Sequence, residues 1–195
     1  MISKIIDMTE PAKKYSKKEE IMWIAADIFR QNGYHNTSIS DLAKACGLHN
    51  AHFYYYFKDK ENLLEESLAY ITHYFNKKVF QIAFQDGLSA KEKATLMLET
   101  TKKIFLYNQG GCIMANITLE TAQYDSRFIP VIQNFFNKWT EALKHIYQEK
   151  YQPQKAQEKA EQAIQDIEGG ILLMRLYKND KYFLNALQRS SEVLN

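Results

Sequence analysis

Apolar residues recur along this chain at intervals of three and four, with no sustained alternation of apolar and polar positions, and that period predicts helices rather than strands. After Ser16, residues Ile21, Ala25, Ile28 and Phe29 share one helical face, and Asn32-Gly33 supplies a stop. Two short helices follow, over Ile39–Cys46 and about Asn50–Phe57, parted by Gly47. A long helix begins near Lys60, carries Leu63, Leu64, Leu68, Ile71, Phe75, Val79 and Phe80, and ends near Asp86-Gly87. Beyond it the pattern predicts helices over about Ala90–Tyr107 and Cys112–Gln123, one from after Asp125 to about Tyr151, one from Pro153 to Tyr177, and a last from Asn179-Asp180 through Leu187.

Start signals support this division. Ser16, Ser38 and Ser89 are each followed three residues later by an acid (Glu19, Asp41, Glu92), the capping-box spacing that satisfies free N–H groups at a helix start. Three prolines and seven glycines among 195 residues are few punctuators, which favours long helices over a many-turned β fold.

Charge adds little. The net charge is +2, all of it in residues 1–60, notably Lys13, Lys14, Lys17 and Lys18; residues 61–195 balance. A lysine run of this size is explained equally by a solvated face and by a polyanionic partner. Two cysteines make no disulfide framework and fit a reducing compartment. Met1 to Glu10 lacks a signal-peptide core, and no apolar run approaches the ~18 residues of a membrane span, so a cytoplasmic protein with no membrane contact is expected.

The most informative segment runs from Thr37 to Lys60. Two short helices joined at Gly47-Leu48, with a longer helix before them, suit a helix-turn-helix whose second helix enters the major groove. Leu42, Ala43, Leu48, Phe53 and Phe57 supply a small core, leaving Asn50, His52, Tyr54, Tyr55 and Tyr56 at or near the surface. Consecutive helical residues diverge by ~100°, so the three tyrosines cannot all face one core. Hydroxyls at Thr37, Ser38 and Ser40 mark a helix start suited to phosphate, Lys60 adds a charge at the next one, and Asn50 and His52 can meet base edges. Cys46, His49 and His52 lie three apart, but Cys46 occupies a core position and no fourth ligand is evident, so no metal or other cofactor is expected.

Gly33-Tyr34, Thr37-Ser38, Asp41-Leu42-Ala43, Gly47-Leu48 and Phe53 through Leu63 resemble, in order and spacing, the signature of TetR/AcrR-type transcription regulators over about residues 17–64. The resemblance implies an all-α fold, with a three-helix helix-turn-helix DNA-binding domain at 1–60 and a helical ligand-binding and dimerisation domain at 61–195. It further implies a homodimer on a palindromic double-stranded operator, released by a small-molecule inducer. Carried over, Thr37 and Ser38 would touch phosphate, Tyr54, Tyr55 and Tyr56 would hold the backbone, Lys60 would pin the fourth helix, and Asn50, Ala51 and His52 would lie at base edges. This sequence departs from the family in having Ala51 where Gly is common and His52 where Thr or Ser is common.

In the C-terminal part, Met97, Phe105, Phe135, Trp139 and Met174 offer adaptable apolar material for a ligand pocket as well as for ordinary core. Cys112, Asn116, Glu120 and Tyr124 recur every four residues and form a polar stripe, opposite Ile113, Met114, Ile117 and Leu119, readable as a solvated face or a pocket lining. Cys112 opens its helix after Gly110-Gly111, where the helix dipole lowers a thiol pKa. That opening is similar to NemR-like members of the family, which implies an electrophile or oxidant as inducer; the other reading of Cys112 is an inert buried thiol. Gly169, Gly170, Leu173, Tyr177, Phe183 and Leu187 are the expected dimer surface, the glycines allowing close helix approach. No phosphate loop, zinc motif or serine elbow appears, and no feature puts His73 or His145 beside Cys112, so an enzyme is not expected.

Overall fold

The computed structural model describes residues 15–107, 110–123 and 126–194. Among them are nine α-helices: α1 (Lys17–Asn32), α2 (Ile39–Ala45), α3 (Asn50–Tyr56), α4 (Lys60–Lys78), α5 (Ala90–Tyr107), α6 (Ile113–Thr121), α7 (Ile129–Tyr147), α8 (Pro153–Tyr177) and α9 (Lys181–Glu192), with short 3-10 turns at Phe80–Phe84 and Ser126–Phe128. Lys13, Lys14 and Tyr124, singled out from the sequence, lie outside the described residues, as does Asp125, after which a helix start was expected. No helix among the described residues is long and apolar enough to cross a membrane.

All three capping boxes form. Ser16 accepts from Glu19 N–H and Glu19 accepts from Ser16 N–H; Ser38 and Asp41 repeat the exchange, as do Ser89 and Glu92. Each such cap contributes about 1 kcal/mol to its helix. Asp59 caps α4 through the Asn62 N–H at 2.7 Å. Asp180 is the N-cap residue of α9 but makes no side-chain cap bond; the Oδ1 of Asn179, one residue earlier, accepts from Lys181 N–H instead.

The chain divides into two compact units, and the division does not fall at one point near residue 60. The first unit takes residues up to Ile71 together with Ile113–Val131; the second takes Thr72–Cys112 and the rest from Ile132. Helix α4 supplies residues to both because it has no internal break, and α6 falls with the first unit because it packs on α1.

In the second unit the long helix expected to reach Asp86 instead leaves α geometry at Val79 (φ −122°, ψ −59°). The tighter turn that follows buries Phe80, Ile82 and Ala83. Phe80 lies 5.5 Å from Phe135 and 6.1 Å from Trp139, and Phe105 stacks on Trp139 at 6.5 Å with 10° between planes. Helix α8 buries Ala156, Ala160, Ala163, Ile164, Ile167, Gly170 and Ile171 and makes its main packing against α9. At Gly170 a Cβ would fall 2.9 Å from the Tyr182 carbonyl oxygen and 3.1 Å from Phe183 Cα, so the two helices meet where no side chain separates them. Tyr147 and Tyr151 tie the end of α7 to the end of α9, donating to the carbonyls of Ser190 and Val193.

Candidate functional site

Helices α2 and α3 are held around Leu42, Ala43, Phe53 and Phe57, all essentially sealed from solvent, with Leu48 only partly covered. Gly47 turns the chain between them at φ +66°, and Leu48 N–H returns to the Ala43 carbonyl at 2.8 Å. With Phe53 turned inward, helical geometry sends its neighbours out: Tyr55 is 84% exposed, Tyr54 56%, and Tyr56 lies half-buried with its ring 5.1 Å from that of Tyr55. Asn50, Ala51 and His52 are exposed on the preceding turn. The helix thus presents a row of hydrogen-bonding side chains and two aromatic faces, chemistry that suits sugar-phosphate and base edges.

Of the residues expected at phosphate, Thr37 and Lys60 are turned to internal partners. Thr37 is buried, its hydroxyl donating to the Gly33 carbonyl at 2.7 Å. Lys60 Nζ donates to the carbonyls of Tyr34 and Thr37, each at 3.1 Å, and sits 4.1 Å from the Tyr34 ring centroid. The ammonium therefore closes the α1–α2 loop from within. Ser38 is exposed, but its hydroxyl is paired with Asp41, whose carboxyl it holds below the usual carboxylate range. Ser40 is exposed.

Helix α3 contains no Lys or Arg. In the α1 lysine run, Lys17 is paired with Glu20 and the Cys46 carbonyl, and Lys18 with Glu66 and the Phe57 ring. The exposed cations that flank α3 are Lys44, in the last turn of α2, and Lys58, just after α3. Sequence reasoning passed over both, although their positions on either side of the helix-turn-helix were a usable signal.

The polar stripe of α6 is not one surface. Cys112 belongs to the second unit, whereas Asn116 and Glu120 belong to the first and face α1. Asn116 Nδ2 donates to the Arg30 carbonyl at 3.0 Å. Glu120 Oε2 accepts from the backbone N–H of Tyr34 at 2.9 Å and of His35 at 3.2 Å. Leu119, expected on the apolar side, is 81% exposed.

Met97, Phe105, Cys112, Phe135 and Trp139 are all buried in the second unit, and Met174 is half-buried. Two polar atoms in that unit, Trp139 Nε1 and Glu168 Oε1, are shut off from solvent without a hydrogen-bond partner. Burial pushes the Glu168 carboxyl up to about 7, and a hydrogen bond from the Cys112 thiol only partly offsets this. Cys112 is thus enclosed beside a carboxyl rather than open to solvent at its helix start. Cys46 is buried too, and desolvation pushes its thiol up to about 11. The native protein is therefore expected to react with an aromatic disulfide reagent at pH 8 only as fast as it opens, and the two thiols should titrate rapidly in denaturant. Immediate reaction of one equivalent in the folded protein would contradict this burial.

Of the residues expected at a dimer surface, Phe183 and Leu187 are buried within the chain, and Gly170 packs on α9 of the same chain because only glycine fits there. Gly169 has open space above it. Leu173 and Tyr177 are exposed, and with Leu172 and Leu176, which the sequence reading omitted, they form an uncovered apolar stripe on the last turns of α8.

Comparison with known proteins places both parts. Residues 21–67 match the family described as bacterial regulatory proteins, tetR family. Residues 87–189, more than half the chain, match the C-terminal domain of LmrA/YxaF-like transcriptional regulators. The chain is similar to the probable HTH-type transcriptional regulator YttP of Bacillus subtilis, with 25% identity over 63% of this chain and 58% of that protein. It is also 27% identical to the fatty acid metabolism regulator protein of Bacillus subtilis, over 59% of each chain. The matches thus span less than two thirds of these relatives. Among solved structures, a TetR regulator from Legionella pneumophila shares the fold with a TM-score of 0.84 at 23% identity, covering 93% of this chain and 98% of that one. The reduced form of NemR from Escherichia coli shares the fold with a TM-score of 0.75 at 15% identity, covering 90% and 95%.

Proposed function

The chain belongs to the tetR family of bacterial regulatory proteins, and on that premise we propose that it is a cytoplasmic, dimeric repressor that holds a palindromic DNA operator through α3 and releases it when a small molecule binds the second unit. The observation that carries the DNA reading is α3 itself: its one buried side chain is Phe53, and Tyr54 and Tyr55 stand exposed, with no helix among the described residues covering them. Lys44 and Lys58 supply the phosphate charge, in place of the internally engaged Lys60. The uncovered stripe of Leu172, Leu173, Leu176 and Tyr177 supports a second copy on α8, because an apolar strip of this kind costs less when covered. The aromatic centre of the second unit, with an unpartnered indole N–H and an unpartnered carboxyl oxygen, supports a ligand of mixed apolar and hydrogen-bonding character. The buried, carboxyl-bonded state of Cys112 favours reversible binding over electrophile capture.

The test is binding to duplexes enriched from a random pool, measured as a function of salt. Each phosphate-contacting lysine removed lowers the salt slope by about 1, so Lys44→Ala or Lys58→Ala should lower it by about 2 per dimer and weaken all sequences alike. Tyr55→Ala should weaken binding with the slope unchanged. Salt-independent binding, or full affinity in all three variants, would refute the reading.

A further inference from the structure

We propose that Glu120 is a positioning residue for DNA recognition: its carboxylate fixes the α1–α2 loop, and so the direction in which α2 and α3 leave α1. The inference rests on the DNA-binding reading above and concerns the first unit alone.

The loop from Gly33 to Ser38 is the only covalent route from α1 to the reading helices. It is gripped from two sides by opposite charges. Its donors, the N–H groups of Tyr34 and His35, converge on Glu120 Oε2 at 2.9 and 3.2 Å. Its acceptors, the carbonyls of Tyr34 and Thr37, converge on Lys60 Nζ at 3.1 Å each. Successive amides aimed at one carboxylate form an anion nest, and bonds to an ionised acceptor are about twice as strong as neutral ones. The carboxylate approaches this closely because residue 33 is glycine: a methyl group there would come within 2.6 Å of Glu120 Oε1. Gly33 also holds φ +84°, a conformation side chains disfavour.

Tyr34 locks the same point. Its ring is buried against Phe29 and Phe128, and its hydroxyl donates to Glu61 Oε1 at 2.6 Å, holding the Glu61 carboxyl below its ordinary range. One turn earlier on α6, Asn116 donates to the Arg30 carbonyl, so α6 grips both the last turn of α1 and the loop beyond it. The chain enters α6 directly from the second unit, at Cys112–Ile113. Any shift of α6 along its axis must either break the Glu120 bonds or carry Tyr34 with it, changing the set of α2 and α3.

Glu120→Ala and Glu120→Gln separate this role from bulk stability. Glu120→Ala should bind the enriched duplex about tenfold more weakly, with amide exchange at Tyr34 and His35 accelerated by a similar factor and the thermal midpoint little changed. Glu120→Gln keeps one acceptor oxygen and should fall between alanine and wild type in both measurements. The proposal is overturned if Glu120→Ala binds DNA as wild type does. It is equally overturned if affinity falls while Tyr34 and His35 exchange at wild-type rates, or falls only in step with the thermal midpoint. If the wild-type protein enriches no duplex, the DNA reading fails; the exchange rates then still judge whether Glu120 holds the loop, and unchanged rates overturn this inference as well.

Discussion

Replacing Trp139 by alanine is expected to destabilise the protein by about 3–5 kcal/mol, the range for emptying a large aromatic site in a packed core. Trp139 is fully buried, and its ring lies within 6.5 Å of Phe80, Phe105 and Phe135. Its indole N–H, however, is buried without an acceptor, a state that costs about 1–3 kcal/mol. Trp139→Phe removes that donor along with part of the ring, so the two effects oppose and the variant should lose well under half of what alanine loses. Chemical denaturation of the three proteins measures both. A phenylalanine variant as unstable as alanine would mean that the indole N–H is satisfied in solution. A ligand that accepts from the indole should stabilise wild type more than Trp139→Phe, which links this comparison to the sensor reading.

What the sequence could and could not disclose follows the range of the interactions. The capping boxes at Ser16, Ser38 and Ser89 are closed within three residues, and all formed as expected. The outward tyrosines of α3 follow from helical geometry once Phe53 is turned inward. Lys60 was misplaced because it reaches backbone carbonyls that only the folded loop brings together, 23 and 26 positions away. Glu120 was read as part of a stripe with Cys112, since spacing of four shows which residues share a face and not what that face meets. Its partners lie 85 and 86 residues earlier. Gly170 was expected to let a partner's helix approach and instead meets α9 of its own chain, because periodicity cannot distinguish a neighbouring helix of the same chain from one of a second copy. The break at Val79 had no local signal, because Val79 and Phe80 continue the α-helical period. Tertiary packing of Phe80 against Phe135 and Trp139 accompanies the turn.

Stability should fall as pH rises from about 5 to 8, and Glu168→Gln should abolish most of that dependence. Desolvation raises the Glu168 carboxyl from 4.5 to about 7 in the folded protein, while the unfolded chain keeps the ordinary value. Below about 4.5 the group is neutral in both states and carries no penalty. Between about 4.5 and 7 the unfolded chain gives up its proton and the folded one does not, so stability falls with pH; above 7 both are ionised and the loss levels off. At ~1.4 kcal/mol per unit, the full effect is on the order of 3–4 kcal/mol. Glutamine carries no titrating proton, so any cost of its amide in this site is constant with pH and cancels when only the pH dependence is compared. Denaturation midpoints of wild type and Glu168→Gln at intervals from pH 4.5 to 8 should therefore diverge steadily and then run parallel. Curves parallel throughout would show that Glu168 ionises freely, and with it would go the enclosed carboxyl on which the hydrogen-bonding character of the ligand partly rests. A ligand whose N–H or cationic group meets Oε1 should flatten the wild-type curve by stabilising the ionised form, whereas a purely apolar ligand should leave its shape intact.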